Sequence, residues 1–230
     1  MTKSLTLKSS TETWYPNSIG TLKEHISSFI VSNTYFSIHE VSPIQSNIAY
    51  SLQYIEFLCR VIEDINLSSV LYKQNVKSIV VYGASIIESI LNYLVITEGY
   101  GKTTNLKSVN KYDSKEYSLS EKNYKNTTEI FEKLDEKIPV QMTFDKFLKK
   151  VESKKLLGDN LQLYKDLNFI RQLRNKIHIH DSGDSYQTDY DIFDNKKYIL
   201  IQRTLLEVLT SCIFDSSIHL DKFEFLKVKE

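Results

Sequence analysis

From Pro43 onward the chain alternates apolar and polar positions with the period of a helix. Ile48, Leu52, Ile55, Cys59 and Ile62 recur every three or four residues and so line one face at 3.6 residues per turn. The pattern predicts a helix through IQSNIAYSLQYIEFLCRVIEDI, with Pro43 in its first turn, where a missing N–H is harmless. A weaker helical period begins near LKEHISSFIV. Residues 1–20, with Pro16 and Gly20, hold no period and read as an arm or a short strand packed on something else. After NLSS a second long helix is expected to about Thr97, closed by the glycines of EGYGK, which supply left-handed backbone at a helix end.

The stretch from 101 to 123 is polar, lysine-rich and without a period, which predicts a plain connection. In NTTEIFEKLDEKIPVQMTF the Thr pair and the turn-like LDEK favour a β-hairpin over a frayed helix. Thr143 is placed to cap a helix through TFDKFLKKVESKKL that Gly158 then ends. DNLQLYKDLNFIRQLRNKIHI has an Asp/Asn start and a strong helical period, and a last helix over NKKYILIQRTLLEVLTSCIF follows an Asp-rich loop. These elements predict an all-α, up-and-down bundle of four or five helices over 43–230. Before it lies an arm and short helix, 1–42, and between its second and third helices a polar insertion at about 101–142.

A hydrophobic content of 41% over 230 residues suffices for a real core. Lys+Arg and Asp+Glu balance at 29 each, so no global field argues for nucleic acid, membrane or an acidic partner. The distribution is uneven. Residues 146–176 hold nine Lys/Arg against three acids, and 181–194 hold five aspartates and no base. Cys59 and Cys212 lack the spacing of a zinc site or a disulfide scaffold, and the N-terminus lacks an apolar core of signal-peptide length; a reduced, cytoplasmic setting is expected. SIVVYGASIIESILNYLVIT, 78–97, is long enough to span a bilayer, but Glu88 at its centre, with Ser85, Ser89 and Asn92 around it, predicts a buried bundle helix and no membrane.

The candidate chemistry lies in RQLRNKIHIH, 171–180. On a helical wheel Leu163, Leu167, Ile170 and Ile177 share a narrow sector, and Arg174 falls within it. A guanidinium is costly to bury without partners, so its place on an apolar stripe needs a reason. Arg171 and His178 lie about 60° and 40° to one side, making a polar strip along the edge of that face; His180 points elsewhere if the helix continues. Glu88, the lone charge between Lys77 and Glu98, is the natural partner for Arg174 across the bundle. An arginine and a histidine one turn apart suit phosphate chemistry. The fork binds non-bridging oxygens, and imidazole, with an unperturbed pKa of about 6.5, moves a proton near neutral pH. RNA brings its own 2′-OH nucleophile, so such a site needs no metal and no cofactor. The same residues also admit an inert reading, an Arg174–Glu88 pair in a helical scaffold.

The order of a helix like VVYGASIIESILNYLV, a polar insertion, LNFIRQLRNKIHIHD and a closing amphipathic helix resembles the HEPN superfamily of prokaryotic toxins, antiviral defence proteins and eukaryotic RNases. The resemblance covers about 43–215. It implies a usually dimeric bundle marked by an Arg, often followed by Asn, with a His four to six intervening residues later. Arg174-Asn175 matches the pair. His180 fits the spacing with five residues between, whereas His178 has three but leaves Arg171 with six. The wheel favours His178 and the spacing favours His180.

On this resemblance the chain is expected to be a metal-independent endoribonuclease acting as a toxin or defence effector. Arg174 would hold the scissile phosphate, His178 or His180 would serve as general acid/base, Asn175 would bond the phosphate or the histidine, and Glu88 would orient Arg174. Arg171, Lys176 and Lys150 would contact substrate, the last within the Lys146–Lys155 block. The expected partners are RNA, a second copy of the chain, and a cognate antitoxin or other defence protein. The alternative is a noncatalytic bundle that binds a partner protein or a nucleic acid. The fifteen tyrosines and eleven phenylalanines are expected mostly in the core, the aspartates of 181–194 in a solvated loop, and His25, His39 and His219 in no special role.

Overall fold

The computed structural model describes residues 16–176, 188–215 and 220–228. Helices α1 (Ile19–Ser27), α2 (Ile38–Asp64) and α3 (Ser69–Thr97) come first. Strands β1 (Thr103–Asp113), β2 (Tyr117–Leu119), β3 (Lys122–Tyr124) and β4 (Thr127–Pro139) follow, then α4 (Phe144–Lys154), α5 (Leu161–Asn175), α6 (Asp189–Ile192), α7 (Asn195–Leu209) and a 3-10 segment, Leu220–Leu226.

The all-α expectation is overturned: the fold is mixed, with 59% of the described residues helical and 15% in strands. The segment 101–123, read as a plain connection, contains β1, and the LDEK turn does not exist. β1 instead pairs antiparallel with β4 from Thr103↔Pro139 to Asp113↔Thr127. The register steps from Thr104↔Ile138 to Leu106↔Lys133, so Leu134–Lys137 bulge opposite the single residue Asn105. The turn-like residues thus mark a bulge within one long strand. At the far end β2 and β3 close around Ser120 and Glu121, both at positive φ (50° and 64°), as a two-residue hairpin turn requires.

Other boundaries shift for local reasons. Glu40 accepts hydrogen bonds from the Ser37 backbone N–H and hydroxyl at 2.9 and 2.8 Å, so α2 begins five residues before Pro43. Pro43 lies inside the helix, not in its first turn, and its ring nitrogen offers the His39 carbonyl no hydrogen bond. Helix α3 ends as its glycines suggest, with Gly99 at φ +75°. Helix α4 stops before Gly158, because Lys155 takes the left-handed conformation at φ 53°.

The centre of the core is α3, which touches α2, α4, α5, α6 and α7. Val76, Ile79, Val80, Ile87, Ile90, Leu91 and Val95 are fully buried there. By length and composition α3 is long and apolar enough to cross a membrane, and 61% of its most apolar window is buried inside the fold. Gly83 lets α7 approach: a Cβ there would stand 2.8 Å from Ile201 Cδ1. Core polar residues are tied down. His25, 1% exposed, sits with Nε2 2.8 Å from the Leu209 carbonyl, between the rings of Phe214 and Phe223. The aromatics are less interior than expected: Tyr50, Tyr54, Phe57 and Tyr82 are exposed on α2 and α3, and Tyr112, Tyr117, Tyr124 and Phe131 on the hairpins. His39 is exposed, and His219 lies outside the described residues.

Candidate functional site

Helix α5 begins at Asn160, whose side-chain oxygen accepts from the N–H groups of Gln162 and Leu163. Its apolar stripe then buries Leu163, Leu167, Ile170 and Leu173 against the core. Arg174 points along the same stripe but near the helix end, where the packed neighbours run out and an open groove begins. The arginine therefore needs no place inside the core. Its side chain keeps 42% of its surface in water, and Nη2 lies 3.2 Å from Glu88 Oε2 on α3, itself 27% exposed.

The groove has a volume of about 540 Å³. One wall carries Glu88, Arg171, Arg174 and Asn175, and the other the residues from Gln141 to Asp145 that lead into α4. Arg171 is more enclosed than Arg174. Its Nε and Nη2 donate to Asn168 Oδ1 at 3.2 and 2.9 Å, and Nη2 stands 3.5 Å from Asp145 Oδ1. Lys149 also binds Asp145, at 2.8 Å. That hydrogen bond, with the nearby charges of Lys149, Arg171 and Lys146, holds the Asp145 carboxyl below the usual carboxylate range. Among the described residues Arg174 has Glu88 as its one charged partner, and it lines the groove with N–H donors to spare. An anionic oxygen placed there meets a fork already oriented from behind.

Of the residues expected at the site, the structure brings Arg174, Glu88, Asn175 and Arg171 together around one groove. Two lie elsewhere. Lys176 is the exposed C-terminal cap of α5 and does not line the groove. Lys150 follows Asp145 by five residues, about 140° around the helix, and its ammonium lies 5.8 Å from the Tyr100 ring centroid. The rest of the basic block is likewise occupied in part, with Lys155 bound to Asp159 at 2.7 Å and Lys154 5.4 Å from the same Tyr100 ring. His178 and His180 lie outside the described residues.

The groove wall before α4 was not foreseen. Asp145 reads in the sequence as an acid in a first helical turn, which is favourable with the helix dipole whatever else it does, and nothing local names Arg171 as its partner. The Asp166–Arg203 pair between α5 and α7, at 2.5 Å with Asp166 buried, is equally long-range. In the Asp-rich loop, Asp191 accepts from the Thr188 N–H and hydroxyl and Asp194 caps α7. Among the described residues no three His, Cys, Asp or Glu side chains gather as a cation site. No protein-family model, curated protein or solved structure matches this chain.

Proposed function

We propose that the groove between α3, α5 and the start of α4 is the active cleft of a metal-independent endoribonuclease of HEPN type. The observation that carries this reading is the position of Arg174: on the wall of an open groove, backed by Glu88 at 3.2 Å, with Asn175 and Arg171 beside it. A structural ion pair has no need of a groove, whereas a phosphate-binding arginine does.

In this reading the Arg174 fork holds the non-bridging oxygens of the scissile phosphate, and Glu88 fixes the plane of the fork. The RNA 2′-OH attacks the adjacent phosphorus, the 5′-oxygen leaves, and charge grows on the oxygens that Arg174 contacts. A base must take the 2′-OH proton and an acid must supply one to the 5′-oxygen. His178 and His180, which follow α5 within a few residues of Arg174, are the candidates for both transfers. Two copies would assemble the working cleft, and the cell would use it as a toxin or defence effector under a partner's control.

The test is RNA cleavage by the purified protein in EDTA. The expected result is retained cleavage and a product bearing a 2′,3′-cyclic phosphate, as intramolecular 2′-OH attack demands. Cleavage that stops on chelation and returns with magnesium overturns the mechanism. RNA binding without cleavage favours the noncatalytic module instead.

A further inference from the structure

The groove does not end at Glu88. A second cavity of about 800 Å³ runs on from it along α3, and Glu88, Gln141 and Met142 line both. The two halves differ in chemistry. The first presents guanidinium groups. The second lies between α3 and the ends of β1 and β4, with Ile96, Val140, Met142 and Phe147 as apolar lining and the Tyr35 ring at its margin.

Along this second half α3 presents Ser85, Ser89 and Asn92, spaced three and four residues apart and so on one face with Glu88. The serines are already engaged: Ser85 Oγ donates to the Val81 carbonyl and Ser89 Oγ to the Ser85 carbonyl, each at 2.9 Å. Asn92 is different. It is half-buried, and among the described residues nothing hydrogen-bonds its side-chain amide. Fully buried amides find protein partners, as with Gln45 on the Ile30 carbonyl and Gln202 on the Phe225 carbonyl, whereas the Asn92 amide stays open to the cavity. An amide with two donors and an acceptor, facing a partly apolar cavity, is equipped for a ligand.

We propose that this second cavity is a nucleobase subsite and that Asn92 reads the base there, adenine by preference. The substrate class rests on the ribonuclease reading. Asn92 lies one helical turn beyond Glu88, about 6 Å along α3, and Glu88 in turn holds Arg174. A phosphate on Arg174 and a base beside Asn92 are thus within the reach of one nucleotide. The apolar lining accepts the faces of a flat heterocycle, and the exposed Tyr35 offers a ring to stack on. A carboxamide matches the edge of adenine, donating to N7 and accepting from the N6 amino group.

Adenosine and cytidine test the subsite without the phosphate half of the groove. Each is titrated calorimetrically into the wild type, Asn92→Leu and Asn92→Asp, with circular dichroism to establish folding. The expected result is adenosine binding that weakens about tenfold or more in Asn92→Leu, and a shift toward cytidine in Asn92→Asp, whose carboxylate accepts from the cytosine amino group. If Asn92→Leu fails to fold, the Asn92→Asp shift decides. No adenosine binding by the wild type, or equal binding by all three proteins, overturns the subsite even if the protein cleaves RNA. Asn92-dependent adenosine binding by a protein that never cleaves RNA keeps the subsite and removes the ribonuclease reading.

Discussion

Replacing Arg174 by alanine separates a cleft residue from a structural one. The ion pair with Glu88 is 3.2 Å long, but 42% and 27% of the two side chains remain in water. A pair so open to solvent contributes about 0–1 kcal/mol to stability, far from the roughly 3–5 kcal/mol lost when a charge is stranded in a dry interior. For a chain of this length 1 kcal/mol moves the melting temperature by about 2–4 °C. Arg174→Ala is therefore expected to melt within about 4 °C of wild type. Cleavage should fall by about 10²–10³-fold, the usual loss when a donor to developing oxyanion charge is removed.

Arg203 is the internal control. Its Nη2 lies 2.5 Å from Asp166 Oδ2, and although 53% of the Arg203 side chain is in water, Asp166 has only 9% of its side chain exposed. In Arg203→Ala the carboxylate keeps Gln162, which donates to Oδ1 at 2.7 Å, so the loss is that of one charged hydrogen bond, about 1.5–3 kcal/mol. The melting temperature should fall by about 3–12 °C, with cleavage intact below it. Thermal unfolding by circular dichroism and single-turnover cleavage of a labelled RNA in EDTA read both variants. An Arg174→Ala protein that melts as low as Arg203→Ala, or that cleaves as fast as wild type, refutes the reasoning.

Two further outcomes follow from the core. Burial pushes the Cys59 thiol up to about 11 from 9.0. Because the folded state holds this proton more tightly than the unfolded one, its contribution is fully present below about pH 9 and is lost as pH rises toward 11. Cys59→Ala should flatten the alkaline decline in unfolding free energy by about 2–3 kcal/mol over that window, and an unchanged decline would show that the thiol is not the titrating group. Gly83→Ala gains about 1 kcal/mol in helix propensity but drives a methyl into Ile201 at a cost of about 1–3 kcal/mol, so urea unfolding should show no gain and a net loss of up to about 2 kcal/mol. Ile201→Val, which removes the Cδ1 atom nearest that methyl but keeps Cγ1 at 2.9 Å, should recover part of it, and additive losses in the double variant would contradict the packing account.

The sequence by itself determined the elements that bury one face. In α2, α3, α5 and α7 the apolar residues must recur at helical spacing to meet a core, and that spacing is visible without knowing what they meet. Glu88 and Arg174 were legible as partners for a related reason: a charge on an apolar face is costly enough to require a counter-charge across the bundle. The paired strands were not legible. β1 and β4 are exposed along nearly their whole length, so neither face is held to an apolar alternation, and the LDEK residues looked like a turn because a bulge uses the same residue types. Only the tertiary structure decided the rest of the site. Whether Arg174 is enclosed or open depends on where its neighbours end, and the Gln141–Asp145 wall and the cavity beside Asn92 depend on how the hairpin base meets α3. Those are contacts between residues tens of positions apart, and local periodicity carries no record of them.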